Sequence, residues 1–292
     1  MLQNLKSTFN MNTQLSVSVV IPSAYKDVWR EENLKGLITD IWNQTYLPLE
    51  IIIVRGARPR TRAHNQGVGK ATGDIVIFFD DDVRLGNNGI IAEIVRLVEV
   101  QEDLGIIGVN ITLAKQSNYF QRLCSKQLLK AKNMVSHAAL AITKQLYEKV
   151  GGENKALRLN DDADLNYKVT RLGYRSMILP SAYFVYHPEP TNLFVMLKKA
   201  MLQGRDQAYD YKMAPEQIYH APVKQAQHVE RSSVARQVWR NIKIIMQSIV
   251  NFKFVLLCSR LATALGFLLG CITRPKLEGS AGVIEVVTPA NK

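Results

Sequence analysis

Cysteine is scarce in this chain. Cys124, Cys258 and Cys271 are an odd number without metal-ligand spacing. That argues against a disulfide framework or a cysteine zinc site and fits structural thiols in a reducing compartment. Acidic residues are also in short supply: 37 lysines and arginines stand against 25 aspartates and glutamates, a formal net charge of +12. Such an excess favours nucleic acid, anionic lipid or phosphorylated ligands and does not choose among them. Basic residues are nowhere interleaved with aromatics in a nucleic-acid-binding motif, so no nucleic-acid partner is expected. Residues 1–14 are polar and lack an apolar stretch, so no secretion signal is expected either. Internal repeats and low-complexity tracts are absent.

What is present is globular. Hydrophobic residues make up 47% of the 292 and charged residues 21%, enough for one large domain plus an appendage. The organising stretch is Asp74-Ile-Val-Ile-Phe-Phe-Asp80-Asp81-Asp82. A continuous run rich in β-branched and aromatic residues reads as a strand buried on both faces, and such strands deliver ligand-binding groups at their carboxyl ends. Three adjacent acids repel one another, and the simplest remedy is a hard cation such as Mg²⁺ or Mn²⁺, its shell completed by a phosphate. The alternative is a polar turn in which Asp82 or Asn87 caps a helix beginning near Asn88.

Strand alternates with helix over the first half. Leu15 to Ile21 and Leu49 to Val54 read as strands, and Leu34, Leu37, Ile38, Ile41 and Trp42 share a helical face. This predicts an α/β fold with a Rossmann-like, mostly parallel central sheet. In the second half, Ser136 to Ile142 reads as a strand, and two short strands, Tyr174 to Leu179 and Ala182 to Tyr186, lead to His187. Asn160 reads as the N-cap of a helix carrying Leu165 and Val169. Asp162 falls on the face of Leu165 and Val169 and should turn inward as a candidate general base, with Asp161 and Asp164 capping. A lone histidine such as His187 is more often structural; it matters only if its strand end faces the acids.

Taken in order, Ser18-Val-Val-Ile-Pro22, Asn65 to Asp74, Phe79 to Asp82, Gly151-Gly152, Asp161-Asp162-Ala163-Asp164-Leu165, Gly173-Tyr174 and Val185-Tyr186-His187 resemble the family-two glycosyltransferases of GT-A fold. The resemblance covers residues 15–190 and implies an enzyme that transfers sugar from a nucleotide-sugar donor with inversion. It implies Asp80 to Asp82 as the DXD motif, with Asp82 and Asp80 on a Mn²⁺ or Mg²⁺ ion, His187 beside the metal or diphosphate, and Asp162 as the catalytic base. It places Pro22, Ser23, Tyr25, Arg62 and Asn65, with Asp80 and Asp81, around the donor. Arg55 stands where the family usually has an acid that meets the nucleobase. UDP is therefore a default, and GDP or dTDP stay open; the basic loop from Arg55 to Arg62 contacts the diphosphate or is merely solvated. The Gln-x-x-Arg-Trp signature of processive synthases is absent, so single addition is expected. The rivals are a nucleotidyltransferase, which would need a glycine-rich loop where Pro22-Ser-Ala-Tyr25 stands, and a non-catalytic binder or scaffold of the same fold.

The expected organisation is a polar N-terminal tail over 1–14, a catalytic domain over 15–212 (donor half 15–112, acceptor half 113–212), a linker over 213–232 and C-terminal helices and tail over 233–292. Phe254 to Ile272 carries one charge, Arg260, close to the ~20 residues that span a bilayer. Arg236, Arg240 and Lys243 lie opposite Val234, Val238, Ile242, Ile245 and Ile249, an interfacial pattern suited to anionic lipid. These features predict attachment to the cytoplasmic face of a membrane, peripheral, monotopic or re-entrant, with a glycan or lipid-linked acceptor. Ala262, Gly266 and Gly270 would permit close helix contact, including a homo-oligomer through these helices.

Overall fold

The computed structural model describes residues 14–24, 27–130, 135–189, 191–213, 219–220, 230–231, 239, 242–243, 254–273 and 279–289, with backbone alone for 126–130, 219–220 and 230–231. Tyr25 and most of the basic amphipathic stretch over 233–250 lie outside them.

The first half alternates as expected: β1 (Val17–Ser23), α1 (Val28–Trp42), β2 (Glu50–Arg55), α2 (Arg60–Val68) and β3 (Ile75–Phe79). Then come β4 (Val83–Leu85), α3 (Ile90–Val100), β5 (Leu104–Leu113), α4 (Tyr119–Lys130), β6 (Ala139–Thr143) and α5 (Lys144–Lys149). The chain continues through α6 (Asp161–Arg171), β7 (Arg175–Tyr186), α7 (Leu193–Met213), α8 (Phe254–Ile272) and β8 (Val283–Val287).

One eight-stranded sheet runs in the order β8-β2-β1-β3-β6-β5-β7-β4. It is mixed, which corrects the expectation of a mostly parallel sheet: β1 is parallel to β2 and β3, and β5 to β7, while the other four pairings are antiparallel. Strand propensity carries no direction, so hydrophobic runs alone left the orientation of β6 and β4 open. The two short strands expected after Gly173 are one, β7, whose register against β5 shifts around Pro180.

Every residue of β3 is buried. Ile75, Ile77 and Phe79 enter one core with Leu34, Leu37 and Ile91, while Val76 and Phe78 enter the other with Val20, Leu165 and Val169. The uninterrupted apolar run is thus the period-two signature of a strand covered on both sides. The sheet's far edge comes from the other end of the chain: β8 pairs antiparallel with β2, a strand that sequence reading had left within the tail.

α7 and α8 pack closely side by side and run in the same direction, with Met201 against Gly266 and Arg205 against Gly270. A Cβ on Gly204 of α7 would run into the backbone at Thr263, and one on Gly266 into the backbone at Met201. The small residues of α8 therefore pack against α7 of the same chain, and the close contact they permit is intramolecular.

Candidate active site

β3 stops at Phe79 and hands over to Asp80, Asp81 and Asp82 at its carboxyl end. The three acids do not cap the next helix. β4 intervenes, and α3 begins at Gly89 with no side-chain cap. Asp81 is buried between Ser23 Oγ at the end of β1 and Arg30 Nη1 on α1, both at 2.8 Å. Asp82 has a buried Oδ1 without a hydrogen-bond partner. Its carboxyl is pushed well above the ordinary range by burial and by the like charges of Asp80 and Asp81. The β4–β7 ladder brings His187 to this place: its N–H donates to the Asp82 carbonyl at 2.8 Å. The charged groups acting on its ring are Arg84 and Asp40.

The second acid group sits at the start of α6, and its burial corrects one expectation. Asp161 and Asp164 do not cap the helix; they are buried, whereas Asp162 is half-buried and accepts from the Ala163 N–H at 2.8 Å. Asn160 occupies the N-cap without a side-chain cap bond, its amide donating instead to Asp210 at 3.1 Å. The inversion has a physical cause. Arg60, at the first turn of α2, forks onto both oxygens of Asp161 at 2.9 and 3.0 Å, and a bidentate guanidinium pair holds a carboxylate inside where a cap would leave it in water.

Arg60 also reaches Asp80 Oδ2, with Nη1 at 3.4 Å, so one guanidinium joins the two acid groups. Burial opposes its charge, and Asp161 and Asp80 more than offset that. Burial also opposes ionisation of Asp161, yet Arg60 and His137 hold it well below the ordinary range. Asp162 shifts the other way, up to about 6, through burial and the charge of Asp161 beside it.

Beneath Asp161 lie His64, His137 and Glu153, all fully or nearly fully buried. His64 Nδ1 is 2.9 Å from both Glu153 oxygens, and His137 Nε2 is 2.8 Å from Oε1. Against the cost of burial, the two imidazoles lower Glu153 to about 2. Asn65 uses its amide wholly on structure: Nδ2 donates to the Thr61 and Glu153 carbonyls, and Oδ1 accepts from Tyr147 and from the Glu153 N–H. It clasps the turn at Gly151 and Gly152, whose φ of 79° and 65° suit glycine. Arg55 pairs with Glu31 and Glu285, Arg62 lies against Gly279 ahead of β8, and Pro22 is in register with Val54.

Thus Pro22, Ser23, Asp80, Asp81, Asp82 and the backbone of His187 gather at one sheet edge, with Asp162 across Arg60. Sequence reading missed Arg30, Arg60, His64, His137 and Glu153. Arg60 stood in the basic loop already singled out; the buried three carry no local signal, since their meeting depends on distant segments.

The sequence model of a glycosyltransferase-like family matches residues 27–147. Among solved structures, the mannosyltransferase PcManGT from Pyrobaculum calidifontis, in complex with GDP-Man and Mn2+, is similar in fold. The two share 14% identity over 88% of each chain, with a TM-score of 0.55. The chain has the GT-A fold. It also aligns with S. aureus TarS, at 12% identity over 70% of this chain and 45% of that one, with a TM-score of 0.44. No curated protein matches its sequence.

Proposed function

We propose that the chain moves a sugar, with inversion, from a nucleoside-diphosphate sugar to an acceptor hydroxyl. The observation that carries this is Arg60, which bonds Asp80 and Asp161 and so sets the triple acid and the α6 acids around one locus. The residues suit a hard divalent ion: Asp82 keeps an unpartnered buried oxygen among like charges, so Asp80 and Asp82 would hold Mn²⁺ or Mg²⁺. When bound, that ion supplies Lewis-acid neutralisation of the departing diphosphate. Pro22 and Ser23 border the donor side. The GDP-Man of the Pyrobaculum neighbour makes a GDP-sugar the first donor to try, alongside UDP- and dTDP-sugars.

Asp162 takes the proton of the incoming hydroxyl on the face opposite the leaving group, as the general base does in inverting glycosidases. Its raised affinity for protons suits a base working near neutrality. Arg60 is a positioning residue: it holds Asp161, and with it the first turn of α6.

Membrane attachment through α8 belongs to this reading. Among the described residues, Phe254–Ile272 is the one helix long and apolar enough to cross a bilayer. Leu261, Leu265, Leu268 and Ile272 lie exposed on it at spacings that share one face. Such a face suits a lipid-linked acceptor and the cytoplasmic leaflet.

Asp162→Asn tests the assignment. We expect donor binding to persist while turnover falls by ~10²–10⁴, read as nucleoside diphosphate released from a panel of nucleotide sugars with Mn²⁺. Turnover near the wild-type rate would remove Asp162 from the role of base.

A further inference from the structure

The buried group under α6 brings two imidazole nitrogens and a carboxylate face to face. Glu153 occupies one nitrogen of each imidazole, Nδ1 of His64 and Nε2 of His137. With N–H turned to the carboxylate, each neutral imidazole offers its other nitrogen, His64 Nε2 or His137 Nδ1, as a lone pair; Glu153 and Asp161 raise His137 to about 9 against its burial, so an ion held here takes the place of a proton on His137. Both nitrogens are buried and without a hydrogen-bond partner. His137 Nδ1 is 3.8 Å from Asp161 Oδ2, too long for a hydrogen bond. His64, His137 and Asp161 each offer a ligating atom within 4.8 Å of the others.

We propose that His64 Nε2, His137 Nδ1 and Asp161 form a second, buried site for a divalent transition-metal ion of the zinc class, separate from the acids at the end of β3. Two imidazoles and a carboxylate are ligands for such an ion, whereas the all-oxygen set at Asp80 and Asp82 suits Mg²⁺ or Mn²⁺. Glu153 lies against the far nitrogen of each histidine, where a carboxylate orients a metal-bound imidazole and sets which nitrogen faces the ion. The charges close as well: the ion's two positive charges answer Glu153 and Asp161, and Arg60 answers Asp80. Zinc–nitrogen bonds of about 2.0–2.1 Å draw the three side chains inward from their present spacing. The ion would tie α2, the loop before β6 and the first turn of α6 into one unit under Asp162.

Cobalt is the probe. Chelator-treated, full-length protein is titrated with Co²⁺ and followed by visible absorption, because low-coordinate cobalt on imidazole absorbs far more strongly than cobalt on oxygen ligands. We expect one equivalent to develop an intense band, which one equivalent of Zn²⁺ then abolishes. The band should survive Asp80→Asn with Asp82→Asn and vanish in His64→Gln. Glu153→Gln should weaken cobalt affinity by ~10–100-fold. Absence of the band from wild-type protein overturns the site, as does a band lost with Asp82→Asn and kept in His64→Gln. Far-UV circular dichroism checks that each variant is folded, and His137→Gln serves if His64→Gln is not. The reading is optical, so an inactive but metal-binding chain would separate failure of the sugar-transfer proposal from failure of this one.

Discussion

The central sheet and α8 are both apolar, yet they are held to their neighbours by opposite means. β3 is shielded on both faces by large side chains, and Ile75, Ile77, Phe78 and Phe79 have no exposed surface. The α7–α8 pair joins through its small residues, with Gly204, Gly266 and Gly270 at the contact, while Leu261, Leu265, Leu268 and Ile272 are 52, 53, 61 and 82% exposed. In the sheet, hydrophobic area removed from water stabilises the fold. Between α7 and α8, close backbone approach does the joining and much of the hydrophobic area of α8 stays exposed. The same composition therefore has different tasks in the two regions, and stability and membrane affinity should respond to different substitutions.

The largest effect on stability belongs to the sheet. Ile77→Ala in β3 should destabilise the chain by about 2–5 kcal/mol, the range for deleting a large aliphatic group from a fully packed core. Chemical denaturation checks this, and a loss below about 1 kcal/mol would mean that β3 is not the packed centre.

A smaller effect is expected where α7 meets the site. Asp210 of α7 is buried and accepts from the N–H groups of Arg158 and Leu159 at 2.8 and 3.1 Å, and from the Asn160 amide, so it holds the loop that delivers α6. Burial outweighs those three bonds and raises its carboxyl from 3.8 to about 6. Between pH ~4 and ~6 the folded chain keeps a proton that the unfolded chain has released. This contribution to stability is thus largest below the unfolded pKa and falls as pH rises through the window, by on the order of 2–3 kcal/mol in all. Asp210→Asn does not titrate, so the stability difference between wild type and variant should slope across that interval in paired denaturation curves. A difference flat with pH would contradict the shift.

How much of this was legible beforehand depended on the range of the signal. The run from Ile75 to Phe79 announced a doubly covered strand, and Asp80 to Asp82 at its end announced a ligand edge, because both are local patterns. Asp162 was picked from helical spacing, but the same spacing put Asp161 and Asp164 outside. Only the partner across the fold, Arg60, explains why Asp161 is buried. β8 was missed because an edge strand exposed on one side has a weak pattern, and its partner β2 lies some 230 residues away. The glycines of α8 were read as a packing face, and the structure supplied the partner, α7, that the sequence could not name.

The smallest change in stability should come from the outer face of α8, and it divides the two regions most cleanly. Leu265 and Leu268 touch solvent on the side away from α7, so the paired substitution Leu265→Ser with Leu268→Ser should move stability by no more than about 0.5 kcal/mol per site. Entry into a bilayer would remove both side chains from water. Each is worth about 1.5–3 kcal/mol when fully buried, so the pair should weaken partition by ~10²–10⁴-fold. Sedimentation of full-length protein with vesicles containing anionic lipid reads this directly, and point substitution is the better tool because truncation at 233 would also strip β8 from the sheet. If the double variant sedimented like wild type while its denaturation curve was unchanged, the exposed leucines would not be a membrane face. If it unfolded more easily by several kcal/mol, those leucines would be packed against protein, and the α7–α8 pair would be built like the sheet after all.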